Sequence, residues 1–171
     1  MLRLRPIFSA GLFLALLSTS WAGEAGNPAK IELRPEAFAF PDTGELTFFT
    51  GNENVLWAGV PAGNAVDVYV RENGEDWIAT GHSIPRQAAV VAEGDRLFVA
   101  GGLRGDEVLA DAAVLRREAE GVVASPLPPL PKTRAFGSAV FHEGALYFVG
   151  GAAEAGGARP SRSLYRLDPE A

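Results

Sequence analysis

The sequence predicts an all-β fold made of repeated four-stranded antiparallel sheets, and three observations lead to this prediction. Residues 96–102 recur at 145–151, a shift of 49 residues, and residues 87–92 recur at 136–141 with the same shift. Both copies are apolar and contain a short turn. Glycine and proline supply 20 and 12 of the 171 residues, which is typical of short strands separated by turns. A repeat of this length indicates stacked, similar units.

Each copy of the repeat has the pattern of a hairpin that ends in two glycines. Residues 93–95 and 142–144 form short turns between apolar stretches, as in β-hairpins. The second stretch ends in the Gly-Gly pairs 101–102 and 150–151. Because the apolar runs are continuous, we expect both faces of each sheet to be covered by neighbouring sheets.

Further strands complete the repeated sheets. A degenerate earlier copy with a single glycine is predicted at 54–60. The other predicted strands are 66–71 and 76–81 around a turn at 72–75, then 111–116, 121–125 and 163–168. Residues 106–120 are rich in helix-forming Ala, Leu, Glu and Arg, but the repeat register predicts a strand there. The proline-rich segment 126–131 cannot donate ladder hydrogen bonds and is predicted to connect two sheets.

The first 22 residues have the pattern of a signal peptide. Arg3 and Arg5 precede an apolar stretch at 7–17, and Ser20 and Ala22 provide small residues before a cleavage site. The alternative is a buried N-terminal strand or helix. We expect cleavage after Ala22, a periplasmic or secreted mature chain of residues 23–171, and no membrane association after cleavage, because no second apolar run follows.

Charge and cysteine content exclude several classes of function. The chain carries a formal net charge of −6, and removal of the two N-terminal arginines makes the mature part more acidic. An acidic chain without a basic cluster is a poor partner for nucleic acid or an anionic membrane. The absence of cysteine excludes disulfides, cysteine-ligated zinc, a thiol nucleophile and a lipid-modified cysteine.

At the repeated positions the sequence resembles the Kelch-repeat family of β-propellers. The resemblance rests on the two double glycines, on Tyr69 with Trp77, on Tyr165, and on the segment Leu127-Pro128-Pro129-Leu130-Pro131-Lys132-Thr133-Arg134. The middle copy lacks both aromatic residues. The resemblance implies Kelch-type blades at approximately 46–81, 86–131 and 134–171, with the aromatic side chains packed between blades.

About three blades make an incomplete ring, because propellers usually contain four to eight. Residues 30–33 have the pattern of a lone strand, which in this family would pair with the final blade. Two explanations stand for the shortage: either further C-terminal blades are missing from this chain, or two copies form a homodimer that closes the ring. We expect the first, because the last blade stops after its third strand.

The secretion signal and blade style resemble the bacterial N-acetylneuraminate epimerase group, also called cyclically permuted mutarotase-like proteins. This resemblance implies sugar isomerisation by the full-length form, with sialic acid or a related sugar as substrate. The fold is equally compatible with a non-catalytic carbohydrate- or protein-binding propeller. No residue of the chain matches a catalytic acid or base, and we expect the isolated chain to be inactive.

Arg86 and Arg134 are the candidate substrate-binding residues. Both follow a proline-containing linker and precede the first strand of a blade, where propellers expose loops near the central channel. Two guanidinium groups that converge there would clamp a carboxylate such as that of an acidic sugar. The alternative is a structural role, in which the arginines cap the entry to the blade or stack on an aromatic ring.

No metal or cofactor site is predicted. His82 and His142 lie in different blades, and Leu146 stands where an H-E-x-x-H motif would need its second histidine. Residues 100–105 miss the dinucleotide-binding motif by one glycine and lack a βαβ context. Galactose oxidase, another Kelch propeller, uses a tyrosine that is covalently modified by a cysteine. This chain contains no cysteine and therefore cannot form that cofactor.

Overall fold

The computed structural model describes residues 45–169, and the predicted signal peptide and the strand predicted at 30–33 lie outside them. The described residues form thirteen strands and no helix, so no helix long and apolar enough to cross a membrane occurs among them. The strands belong mainly to three antiparallel sheets that follow one another along the chain. The all-β prediction is therefore confirmed.

Blade 1 is a four-stranded antiparallel meander. Its strands are β1 (Phe48–Gly51), β2 (Val55–Ala62), β3 (Ala65–Glu72) and β4 (Ile78–Pro85), and they lie side by side in chain order. The turn between β3 and β4 contains Asn73 and Gly74 with positive φ angles of 46° and 79°. Asparagine and glycine adopt this left-handed region most readily, which explains why the hairpin begins there.

Blade 2 has the same layout with a small insertion. It consists of β5 (Ala89–Glu93), β6 (Arg96–Ala100), β9 (Ala112–Glu118) and β10 (Gly121–Leu127). Between β6 and β9 lies a two-stranded hairpin of β7 (Leu103–Arg104) and β8 (Glu107–Val108). Blade 3 has three described strands, β11 (Ala135–His142), β12 (Ala145–Ala152) and β13 (Leu164–Leu167).

The segment with high helix propensity forms strands. β9 lies between β6 and β10, and its Ala112, Val114 and Leu115 are buried. Burial on both faces of the sheet stabilises the strand more than the few tenths of a kcal/mol per residue that local propensity offers a helix. Pro126 lies in the edge strand β10 and pairs with Ala113 of β9. At an edge position the missing N–H of proline costs no ladder hydrogen bond.

The blades stack face to face through apolar side chains. Trp57 and Val68 of blade 1 pack in one cluster with Leu97 and Val99 of blade 2. On the other face of blade 2, Phe98 packs with Leu146 and Ala100 with Phe148 of blade 3. The first strand of blade 2, β5, contacts the first strands of both neighbours, β1 and β11. The three sheets therefore form an incomplete propeller rather than a closed barrel.

The structural repeat between blades 2 and 3 has the register of the sequence repeat. Arg86 forms a β-bridge with Leu103. Ala135 and Ala152, each 49 residues later, pair in the same way. Gln87 and Phe136 have the same shift, and both adopt an unusual positive φ, 55° and 61°. The 49-residue shift thus describes equivalent backbone positions.

Residues 54–60 of blade 1 match residues 96–102 in sequence, but the structural alignment of the two strands differs from this match by one residue. Trp57 pairs with Val70 and faces blade 2, while Phe98 pairs with Val114 and faces blade 3. Trp57 is therefore equivalent to Phe98, and Gly59 corresponds to Ala100 rather than to the double glycine. A slip of one residue exchanges the two faces of a strand, so only the packing identifies the correct alignment.

Candidate functional site

The connections between strands meet at one end of the sheets, which we call the linker end. It comprises the linkers 86–88 and 128–134 and the connections 101–111 and 153–163. Backbone hydrogen bonds hold these segments together: Leu103 N donates to Arg86 O at 2.6 Å, and Arg134 N donates to Leu109 O at 2.8 Å. Since both linkers bind the connection after β6, this end is a continuous layer rather than a set of separate loops.

The first double glycine makes room for the second linker. Gly101 and Gly102 have φ angles of 65° and 105°, and Gly102 N donates to Arg134 O at 2.7 Å. A Cβ atom on Gly101 would overlap Arg134 O. In the second pair, a Cβ on Gly151 would lie 2.7 Å from Ala135 O. The Gly-Gly pattern therefore permits close approach of the linker backbone.

Arg134 is the one buried charged residue among the described residues, with 7% of its surface exposed. Its Nη1 donates to Thr133 O at 2.8 Å, and its Nη2 lies 3.3 Å from Ser161 Oγ and 3.5 Å from Tyr165 OH. Its Nε is buried and has no hydrogen-bond partner. No carboxylate of the described residues forms an ion pair with it. A buried cation with weak partners is costly, so this guanidinium has unused capacity for an anion.

A row of hydroxyl groups lies beside this guanidinium. Ser161 Oγ and Ser163 Oγ are 2.7 Å apart, and Ser163 N donates to Ser161 Oγ at 3.1 Å. Tyr165 stacks on Phe148 with ring centroids 6.4 Å apart, which fixes its hydroxyl near Arg134. The three hydroxyls occupy alternate positions of an extended segment and therefore share one face. That spacing was available in the sequence, but the two serines were not singled out there.

A small apolar cleft adjoins the tyrosine. It has a volume of about 110 Å³ and is lined by Leu130, Phe148 and Tyr165 together with the prolines of the linker. Complete ligand pockets usually measure about 300–1,000 Å³. The cleft therefore provides one apolar wall next to the hydroxyl row, and it is not a complete pocket by itself.

The structure gives Arg86 a different environment from Arg134. The backbone of Arg86 bridges to Leu103, whereas its side chain is exposed and makes no hydrogen bond or ion pair within residues 45–169. In the structural repeat Arg86 corresponds to Ala135, and Arg134 corresponds to Pro85. The two arginines are 48 residues apart rather than 49, so they occupy adjacent register positions. The predicted two-arginine clamp stays a prediction.

Charge is distributed unevenly between the two ends of the sheets. The linker end carries six basic residues against six acidic ones: Arg86, Arg104, Lys132, Arg134, Arg159 and Arg162, and Glu45, Asp67, Asp106, Glu107, Asp111 and Glu154. The opposite end carries Glu53, Glu72, Glu75, Asp76, Glu93, Asp95, Glu118, Glu120, Glu143 and Asp168 against Arg71, Arg96, Arg116, Arg117 and Arg166. The excess of acidic residues therefore lies at the opposite end, and an anion meets less repulsion at the linker end.

The two histidines lie away from Arg134. His82 Nε2 is 2.8 Å from Val122 O and links β4 to β10, while the exposed His142 lies 3.7 Å from Glu143. Across residues 45–169, no three His, Asp or Glu side chains are grouped as metal ligands.

No family model matches the chain, and a search of curated proteins finds no match either.

Proposed function

We propose that this chain belongs to an exported Kelch-type propeller that binds a carboxylated sugar at the linker end. The observation that carries the proposal is the buried Arg134 guanidinium, whose Nε has no partner and which no described carboxylate neutralises. The resemblance of the secretion signal and blade style to the N-acetylneuraminate epimerase group supports sialic acid or a related acidic sugar as the ligand.

The chemistry around Arg134 suits such a ligand. A planar guanidinium forms two parallel hydrogen bonds with a carboxylate, and its present bonds to Ser161 and Tyr165 are long. A carboxylate that takes over these bonds would neutralise the buried charge. The freed hydroxyls of Ser161, Ser163 and Tyr165 would then bind sugar hydroxyls, because each both donates and accepts.

The proposal is tested by calorimetric titration of the secreted chain with sialic acid and with its methyl ester. The acid should bind, and the ester should bind about tenfold more weakly or worse because it lacks the charge. The variant Arg134→Met should lose discrimination between acid and ester. The matched control Arg116→Met, an exposed arginine at the opposite end, should behave like the wild type. Equal binding of acid and ester, or no binding of either, would contradict the proposal.

Arg86→Met tests the clamp separately. Because the Arg86 side chain is exposed and unbonded within residues 45–169, the variant should fold normally. A loss of acid binding comparable to that of Arg134→Met would support a clamp of two guanidiniums. Unchanged binding would restrict recognition to Arg134 and its hydroxyl neighbours.

We further propose that the full-length form isomerises the sugar that it binds, and the family resemblance supports this. At the linker end, the carboxylates of Asp111 and Glu154 lie 3.7 Å from Arg104 and 3.8 Å from Arg159 respectively. Exchange between sialic acid anomers in the presence of the full-length form, followed by NMR, measures the activity directly. Acceleration over buffer would support an isomerase, whereas binding without acceleration would support the non-catalytic propeller.

Export is proposed from the pattern of the first 22 residues. Expression of the full chain in a Gram-negative host should deliver a product that begins at residue 23 to the periplasm. Mass spectrometry of the periplasmic fraction measures this cleavage, and recovery of only the uncleaved chain from the cytoplasm would contradict it.

A further inference from the structure

Phe136 is the one aromatic side chain of residues 45–169 that is exposed rather than buried or half-buried. It is 43% exposed, and its ring stacks on no aromatic ring or cation of these residues. Its φ angle of 61° lies in the left-handed region, which is unfavourable for a bulky side chain. The fold therefore gains little from a phenylalanine at this position.

The backbone conformation of Phe136 belongs to the repeat, whereas the aromatic side chain does not. Gln87 is the equivalent residue of blade 2 and has a φ angle of 55°. Its carbonyl oxygen accepts a hydrogen bond from Phe136 N at 2.9 Å, so this conformation helps to join successive blades. The Gln87 side chain is exposed even though blade 3 is in place. By the same register, a further blade after blade 3 would leave the Phe136 side chain exposed as well.

The Phe136 ring lies against the connection between β12 and β13. A Cβ atom on Gly157 would lie 3.6 Å and 3.7 Å from Cδ2 and Cε2 of the ring, which is ordinary van der Waals contact. The same connection carries Ser161 and Ser163, whose hydroxyls belong to the row beside the buried guanidinium. The exposed ring therefore contacts the segment that carries the proposed sugar-binding hydroxyls.

Gly151 connects this ring with Arg134. A Cβ atom on Gly151 would lie 3.4 Å from Arg134 Cβ and 3.3 Å from Gly137 N, the amide that follows Phe136. The carbonyl oxygen of Gly151 also accepts a hydrogen bond from Ser161 N at 2.7 Å. The residues that carry the guanidinium, the ring and a hydroxyl therefore all border the backbone of one glycine.

We infer that the Phe136 ring is a stacking platform for the sugar ring of the ligand whose carboxylate Arg134 binds. This inference rests on the proposed function, from which it takes the ligand. A sugar ring presents C–H groups on its faces, and these pack on the π face of an aromatic ring, where the quadrupole is negative. Ligand sites combine such aromatic surfaces with a few polar groups that fix the orientation. Arg134 recognises the charge of the ligand, and Phe136 recognises the apolar face of its ring.

The test measures by calorimetry how Phe136→Gln binds sialic acid and its methyl ester. This variant installs the side chain that blade 2 has at the equivalent position, so the backbone conformation is kept. It should weaken binding of the acid and of the ester by the same factor, about fivefold, because the ring does not contact the carboxylate. Val140→Gln, at another exposed position of β11, is the matched control and should leave both affinities unchanged. Circular dichroism checks that both variants keep the β fold.

Phe136→Trp gives a second measurement on the mature chain. Trp57 and Trp77 are buried, so the introduced indole is the tryptophan side chain exposed to water within residues 45–169. Saturating sialic acid should shift its emission to shorter wavelength, because stacking on the sugar shields the indole from water. An emission spectrum that does not change on binding would overturn the inference.

The stacking platform and the carboxylate site fail separately in these experiments. If the wild type prefers the acid and Phe136→Gln binds both ligands like the wild type, the stacking platform is wrong and the carboxylate site stands. If Phe136→Gln weakens both ligands while the wild type binds them equally, the stacking platform stands and recognition of the charge is wrong. Weaker binding of the acid alone by Phe136→Gln, an equal loss in Val140→Gln, or no binding by the wild type would overturn the stacking platform.

Discussion

Gly101 and Gly105 adopt almost the same left-handed backbone but have different surroundings. Their φ angles are 65° and 62°. A Cβ atom on Gly105 would meet nothing within 4 Å, whereas one on Gly101 would overlap the carbonyl oxygen of Arg134. Alanine variants at these two glycines therefore separate the free-energy cost of the left-handed backbone from the cost of the close approach to the Arg134 carbonyl.

Gly105→Ala should lower the free energy of unfolding by about 1 kcal/mol, the cost of an alanine in the left-handed region. Gly101→Ala should lower it by at least about twice as much, because the linker carbonyl must also move. Urea unfolding of the two variants and the wild type measures both values. Equal losses would show that the linker accommodates the methyl group without strain.

At the scale of one element, β12 separates the interior from the surface by alternation. Phe148 is fully buried between blades 2 and 3, while its neighbour Val149 is exposed on the other side of blade 3. Successive side chains of a strand point to opposite faces. The same strand therefore contributes to the core on one side and to an exposed surface on the other.

Phe148→Ala should lower the free energy of unfolding by about 3–5 kcal/mol, as expected for a large cavity. Val149→Ala should lower it by less than about 1 kcal/mol, since its side chain packs against no other sheet of residues 45–169. Chemical denaturation of the variants at low protein concentration compares the two. A small loss for Phe148→Ala would mean that blades 2 and 3 do not share a core.

The third strands of blades 1 and 2, β3 and β9, are joined by an arginine. Arg117 Nε donates to Glu72 Oε2 at 3.1 Å, and its Nη1 donates to Gly121 O at 2.9 Å and also contacts Glu118 O. The side chain of Arg117 is only 16% exposed. By contrast, Arg104 lies 3.7 Å from Asp111 with both side chains largely in solvent.

Arg117→Ala should therefore destabilise the fold by about 1–2 kcal/mol, since it removes partly buried, charge-assisted hydrogen bonds between blades. Arg104→Ala should change stability by no more than about 0.5 kcal/mol, because exposed ion pairs contribute little. Thermal unfolding followed by circular dichroism measures the difference. A comparable loss for both variants would assign Arg117 no special role between the blades.

At the scale of the whole molecule, the two ends of the sheets differ in charge. The proposed binding of sialic acid takes place at the end whose charges balance, and it depends on the charge of Arg134. Its affinity should fall when salt is raised to about 0.15 M, where charges are screened beyond about 8 Å, and the uncharged methyl ester should show no such dependence. Calorimetry at two salt concentrations tests this, and identical salt dependence for acid and ester would exclude a charge-based site.

How much of the site could be predicted from the sequence depends on the residue. Arg134 was found from its place after the proline linker, and the double glycines from their repetition. Ser161 and Ser163 were missed, because serines in a loop carry no signal until the fold brings them beside a buried charge. Arg86 and Arg134 looked equivalent in the sequence, but the 49-residue register places them one position apart and in different environments.

The sequence by itself determined the all-β class, the strand–turn–strand unit and the 49-residue register between blades 2 and 3. These features depend on local turn chemistry and on periodicity, which neighbouring residues express directly. Only the tertiary structure decided that Gly59 aligns with Ala100 and that one face of blade 3 is exposed. These outcomes depend on which sheet covers which face, and that is a property of packing between residues far apart in the chain.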